Sequence, residues 1–301
     1  MVKKAGRQDF ETFSLKENYA FRKSIAVLDD EEFERLKLKL GKKMNEPEID
    51  FFNSWSKEMP FLEPGLLGIG GLVLPLSPLL YAGYKLVKYW LSETNYPGFP
   101  VPISSAAKLL KLPPGHPQVN YLYVGHPLDP PKYYPLAQFH RHLFENKLWE
   151  AIKLLMALGA IEISGEWVSG WDQDFVAKLD FAIPTEIGQV KAGGKASSNS
   201  KATSNILFTF KLNNKSAPSI PSDLVWYQYE DIWKEVAEGR MKYGLTEFSF
   251  HFIYNDDYGA DAKLCADAAG MKLGIGGEFE KHKSTSWKLV GKFNEVDPAS
   301  L

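Results

Sequence analysis

From Pro64 to Tyr84 the chain reads PGLLGIGGLVLPLSPLLYAGY, with no charged residue, and KLVKYW follows at once. At the 1.5 Å rise of a helix such a run covers roughly 30 Å, about the hydrocarbon thickness of a bilayer. Its flanks carry Trp55 before it and Tyr81, Tyr84, Tyr89 and Trp90 at or after its end. Rings of this kind favour the boundary between lipid and water, and Lys85 and Lys88 are long enough to reach back to that boundary. Pro75 and Pro78 break the middle of the run, and Gly65, Gly68, Gly70, Gly71 and Gly83 weaken a helix further. Two arms, Gly65 to Leu74 and Leu76 to Leu91, joined at LPLSPLL, are the alternative to a straight span. Positive charge stands on both sides, RLKLKLGKK (Arg35 to Lys43) before and Lys85 and Lys88 after. That is the pattern of a hairpin with both ends on the cytoplasmic side. The residues expected in lipid are Leu66, Leu67, Ile69, Leu72, Val73, Leu74, Leu79 and Leu80. Those expected at the interface are Lys37, Lys39, Lys42, Lys43, Tyr84, Lys85, Lys88 and Trp90. The competing reading buries the run in the protein's own core.

The remainder of the chain divides around this run. Residues 1–63 read as a helical, partly basic arm: SLKE (Ser14 to Glu17) is a capping-box pattern. LDDEEFERLKLKLGKK has Asp29 or Asp30 as cap, acids first, bases last, and Gly41 as its stop. Residues 64–91 form the apolar segment, and 92–120 a Pro/Gly-rich linker around SETNYPGFPVPISS. Residues 121–214 and 215–301 read as two α/β repeats. The arm has no apolar stretch behind its basic start, so it is not a secretory signal. Cys265 is the single cysteine, which rules out an internal disulfide. The expected location is the cytoplasm, with association to or insertion in the inner or plasma membrane. A net charge of -2 gives no bulk attraction for polyanions, and no direct nucleic-acid contact is expected.

The repeat rests on matched residues. LWEAIKLLMALGAIEIS (Leu148 to Ser164) aligns with IWKEVAEGRMKYGLTEFS (Ile232 to Ser249). Gly159, Glu162, Ser164 and Asp172 recur, at a constant separation, as Gly244, Glu247, Ser249 and Asp257. KATS (Lys201 to Ser204) and KSTS (Lys283 to Ser286) follow after a small length change. Each copy opens on a helix: Leu148, Ala151, Ile152, Leu155 and Leu158 share one face, as do Trp233, Val236, Ala237 and Met241. Gly159 and Gly244 stand where a helix ends in a left-handed residue. Phe248, Phe250, Phe252 and Tyr254 then alternate with Glu247, Ser249 and His251, the period of a strand. GADAKLCADAAG reads as a second helix, and MKLGIGGEFEKHKSTSWKLVGKF as two strands around a turn. The fold class expected is α+β, an α-β-α-β-β unit used twice behind the arm and the apolar segment.

No catalytic residue, cofactor or metal site is legible. CxxC, HExxH, the P-loop and GxSxG are all missing from the sequence. His140 and His142 lie two apart on a predicted helix, about 200° around it, so they cannot share a metal. Asp256, Asp257 and Asp261 in YNDDYGAD could bind a cation, but Asp257 at a helix start is more simply a cap, with Asp172 in the equivalent place of the first copy. The second GIGG, Gly274 to Gly277, falls in a predicted strand and is not a phosphate cradle. An enzyme using His126, Asp129, His140 or Glu145 is the alternative, and a soluble scaffold or sensor is another.

The layout of Lys37–Trp90 followed by the duplicated part resembles prokaryotic membrane-acting defence effectors. The resemblance implies a protein partner, a triggered change of assembly, which makes a homo-oligomer one state, and bilayer disruption as output, in antiviral defence. The expected function is therefore that of a non-enzymatic membrane-associated effector or interaction protein. Its apolar segment would perturb the bilayer, an anionic lipid surface would attract its basic flank, and the duplicated domain would bind a protein.

Overall fold

The structure, a computed structural model, describes Tyr19 and residues 22–41, 96–177, 188–192, 205–214 and 217–295. The whole of Pro64–Tyr84 lies outside these residues, as do SLKE and, of the predicted interface set, all but Lys37 and Lys39. Among the described residues no helix is long and apolar enough to cross a membrane. The fold is α+β, with a four-stranded and a five-stranded sheet. Contacts divide the chain into two units, Met1–His142 with Asp257–Lys281, and Leu143–Asp256 with His282–Leu301.

The first unit is built on β1 (Ser24–Leu28), whose SIAVL is buried on both faces, as the central strand of a sheet must be. A helix, α1 (Asp30–Gly41), follows directly. Asp29 Oδ1 accepts the Glu31 N–H at 2.9 Å, so Asp29 is the cap, while Asp30 receives the Ser104 N–H and hydroxyl. Phe33 turns its ring into the core with Ile25, Val27, Leu28, Phe99, Val101 and Tyr123. Next come β2 (Phe99–Pro102) and α2 (Ile103–Leu109), then β3 (Tyr121–Gly125) and β4 (Tyr133–Pro135), in sheet order β2-β1-β3-β4. β1 and β2 are parallel; the other pairs are antiparallel. Here the structure corrects the local reading. The helical arm contains a strand, and the stretch read as linker contains β2 and α2. The prolines of FPVP are tolerated because β2 is an edge strand, where a missing N–H breaks no ladder on the open side.

In the second unit β5 (Ala160–Ser169), β6 (Gly188–Ala192), β7 (Ile206–Leu212), β8 (Glu247–Tyr254) and β9 (Thr285–Phe293) form an antiparallel sheet ordered β6-β7-β5-β9-β8. The helix α3 (Phe139–Ala157) buries Leu148, Ala151, Ile152 and Leu155, and Leu158 just beyond its end is buried as well. Phe144 meets Trp171, Phe252 and Trp287 with ring centroids 5.0, 5.3 and 4.8 Å away, near-perpendicular contacts that suit aromatic quadrupoles. β8 alternates as expected, its four aromatic rings buried and Glu247, Ser249 and His251 exposed. Its outward face continues a charge-alternating row, Glu247 beside Lys292, Lys292 beside Glu162, Glu162 beside Lys211.

Three details differ from the sequence reading. On α5 (Asp231–Tyr243), Met241 is exposed and Arg240 is fully buried in its place. A short α4 (Gln173–Val176) is capped by Asp172, but α6 (Ala262–Gly270) is capped by Asp261, whose Oδ1 accepts the Leu264 N–H at 2.8 Å. Asp257 instead holds the Gly259 N–H in a turn that delays the helix by four residues. Met271 to Glu280 forms no named strand, because Gly276 and Gly277 take φ of 89° and 135°.

Candidate functional site

Three arrangements carry the polar chemistry of the described residues. The first surrounds the departure and return of residues 42–95. α1 ends at Gly41, and the chain returns at Tyr96, whose hydroxyl is hydrogen-bonded to Glu32 on the same helix. Burial and the Glu32 carboxylate push the Tyr96 phenol up. Glu32, Arg35, Leu36, Lys39 and Tyr96 line an open pocket of about 210 Å³. Of the cations there and beside it, Lys37 pairs with Glu34 at 2.7 Å and Arg35 with Glu31 at 3.9 Å. These exposed pairs contribute under about 1 kcal/mol each.

The second lies in the first unit, along GHPQVNYLYVGHP and YYPLAQFHRH. Tyr123 is fully buried, and its hydroxyl accepts the Gln118 N–H at 2.8 Å. It also lies 2.7 Å from His116 Nδ1, in a bond whose donor is set by the ring tautomer. Burial first, and His142 second, push His116 below the ordinary histidine range, while burial pushes Tyr123 up to about 12. The His142 ring stacks on Tyr134 at 5.1 Å, and its Nε2 meets Gln138 Oε1 at 3.2 Å. The second GIGG closes this cluster: Gly274 lies against the Tyr121 ring, Gly276 against Pro135, and Gly277 beside the Gln138 amide.

His140 faces elsewhere; its Nε2 is 2.8 Å from the Ala260 carbonyl, so the two helix histidines do go to different partners. His126 is buried, and its Nδ1 accepts the N–H groups of Leu128 and Asp129. Those are bonds that hold a turn. Among the described residues no group of three or more His, Cys, Asp or Glu is placed to hold a metal. His116 and Gln138 escaped the sequence reading. The available signal was three glycines in four residues at Gly274–Gly277, which strand periodicity masked.

The third, in the second unit, ties DLVWYQY to α3. Glu150 accepts the N–H groups of Val225, Trp226 and Tyr227 at 2.8, 2.5 and 2.9 Å, and Asn146 Oδ1 accepts from Trp226 Nε1 at 2.9 Å. Lys147 donates to the Ile253 carbonyl and pairs with Glu230. The segment is a clamped structural piece, not a free docking strand. Burial outweighs the three amides and holds the Glu150 carboxyl above the usual carboxylate range. A carboxyl raised on folding contributes stability that is present at low pH and is lost as pH rises through its folded value. The unfolding free energy of wild type relative to Glu150→Gln should therefore fall as pH rises from the ordinary carboxylate range upward. Urea titrations of both proteins across that range check it, and a difference that stays flat or rises would refute it.

Comparison with known protein families, with curated proteins and with solved structures finds no match to this chain.

Proposed function

We propose that the chain is a non-enzymatic membrane-associated effector or interaction protein, in which Pro64–Tyr84 enters the bilayer as a re-entrant hairpin. One observation supports the hairpin over a single span. Residues 42–95 leave from Gly41 and return at Tyr96, and both points belong to one body, since Tyr96 is bonded to Glu32 of α1 and β2 pairs in parallel with β1. A single crossing would put those points on opposite sides of the membrane; a bend at LPLSPLL returns the chain to the side it left. Positive charge on both flanks agrees with that. The predicted location is cytoplasmic, against the inner or plasma membrane.

The carboxy-terminal part is proposed to be duplicated and to bind a protein partner. Gly159 and Gly244 both adopt positive φ after a helix, and β5 and β8 follow them at the separation that aligns Glu162 with Glu247. The order β7-β5-β9-β8 agrees with a strand pair used twice side by side. Partner binding would then restrain or trigger insertion in antiviral defence, as the layout implies.

Vesicle flotation of the purified chain tests the proposal. Wild type should float with anionic vesicles, and a variant lacking Pro64–Tyr84 should stay at the bottom while keeping its far-UV circular dichroism. Equal flotation of the deletion variant would overturn insertion by this run. In a Cys265→Ser background, Lys43→Cys and Lys88→Cys should both react with an impermeant maleimide added to the outside of vesicles. Protection of one alone would mean a single span.

A further inference from the structure

We propose that β8 is an assembly edge, on which a second copy of this chain adds its own β8 antiparallel, about a twofold axis through Ser249. β8 ends the order β6-β7-β5-β9-β8, and among the described residues no strand pairs on its far side. It runs for eight residues, pairs with β9 without a register shift, and contains no proline, glycine or lysine. Proteins blunt exposed edges with prolines, lysines, bulges or very short strands. In the other sheet the edge strand β2 carries two prolines and the edge strand β4 has three residues. The ladder fixes which groups of β8 face outward. Thr246 O accepts the Phe293 N–H at 2.9 Å, so those two residues are a hydrogen-bonded pair. Alternation then turns the N–H and C=O groups of Phe248, Phe250, Phe252 and Tyr254 toward β9, and those of Glu247, Ser249, His251 and Ile253 away from it. The Ile253 carbonyl is already taken by Lys147 Nζ at 2.9 Å, and Lys147 is held there by Glu230 and by the Trp226 and Phe252 rings. The open template is therefore Glu247 to His251.

A second copy of that template fits it in one register. With Ser249 opposite Ser249 of the second copy, Glu247 stands opposite the second copy's His251, and the symmetry repeats that pair. The exposed side chains of both strands share one face of the joined sheet. A carboxylate accepts from an imidazole N–H whether the ring is neutral or charged. All the outward backbone groups from Glu247 to His251 are then used, in about six hydrogen bonds. A slip of two residues one way sets Glu247 opposite Ile253 and calls on the carbonyl that Lys147 occupies. A slip the other way sets Glu247 opposite Ser249 and loses the polar pair. On its own sheet Glu247 lies 3.4 Å from Lys292, and Lys288, opposite His251, lies 4.0 Å from Glu166. Pairing over five residues buries less than the roughly 1,200–2,000 Å² of a stable complex. The dimer is therefore weak, with dissociation in the range of about tens of micromolar. The inference needs only the second unit and does not rest on the membrane proposal.

Sedimentation velocity of the full chain, from about 1 to about 200 µM, should show a monomer passing into a dimer. Ser249→Pro removes the central outward N–H and breaks no bond to β9, a place where an edge strand tolerates proline. His251→Glu sets like charges opposite each other at two points. Each should weaken association at least about tenfold while far-UV circular dichroism is unchanged. If Ser249→Pro does not fold, His251→Glu and two cysteine variants carry the test. In a Cys265→Ser background, Ser249→Cys should oxidise to a disulfide dimer, because Cα atoms of a hydrogen-bonded pair lie about 5.5 Å apart. Ile253→Cys should not. A chain still monomeric at about 200 µM overturns the edge. So does a dimer that His251→Glu leaves as tight as wild type, or an Ile253→Cys protein that cross-links as fast as Ser249→Cys. Flotation of the same variants with vesicles should match wild type, so failure here and failure of membrane insertion are read separately.

Discussion

Alanine at Gly291 should unfold the five-stranded sheet. Gly291 lies in β9, between β5 and β8, opposite Ile163 on one side and Phe248 on the other. A Cβ there would overlap the Glu162 carbonyl oxygen and come within 2.5 Å of the Phe248 ring. The first obstacle is backbone of a paired strand and cannot rotate away. The second is one of the buried rings of β8. Relief would need strand separation, at a cost of about 4–5 kcal/mol, a large part of a typical domain's stability. Thermal melts followed by circular dichroism should show Gly291→Ala either insoluble or melting more than about 10 °C below wild type. Gly270→Ala is the control. It closes α6 with nothing within 4 Å of its added Cβ, so it should be neutral or stabilise by up to about 1 kcal/mol. A Gly291→Ala protein melting within about 2 °C of wild type would disprove the packing argument.

Replacing Arg240 by methionine should cost about 4 kcal/mol, because it removes charged hydrogen bonds and strands their acceptors. The side chain is completely buried and no carboxylate accompanies it in its bonds. Nε donates to the Leu158 carbonyl at 3.0 Å, Nη1 to that of Leu245 at 2.9 Å, and Nη2 to that of Asn294 at 2.9 Å, with the Asn294 side chain also accepting. The guanidinium thus joins the ends of α3, α5 and β9, and it stacks 4.9 Å from the Phe293 ring centre. Methionine matches the aliphatic stem but donates nothing. Lysine, with a point charge in place of a planar fork, should restore less than half of the loss. Urea unfolding of the two variants measures both; a methionine variant within about 1 kcal/mol of wild type would show that the fork is dispensable.

What the sequence could and could not disclose follows from range. Elements with a strong local period were readable: the faces of α3 and β8, and the glycine stops after α3 and α5. The strand β1 was not, because five consecutive buried residues, four of them apolar, have no period, and both its neighbours come from after residue 95. β2 was hidden by its prolines, which an edge position excuses. Arg240 was passed over because a charged residue on a helix normally faces water. His116 and Gln138 were passed over as well, because the first meets Tyr123 and the second meets His142 and Gly277 through strand pairing and loop contacts, and no local pattern encodes that. The separation of His140 from His142 needed only helical geometry, and it held.

The position of β1 also sets a timetable. It is wholly buried, yet its partners β2 and β3 are not complete until Gly125 has been made. At about 5–20 residues per second, translation from β1 to the end of β3 takes roughly 5–20 s. Throughout that interval the first sheet cannot close, and the charge-free run emerges from the ribosome after β1 but before β2 and β3, the strands that pair with it. The sheet that holds both ends of residues 42–95 to one body is therefore assembled only after the whole of that stretch has been made.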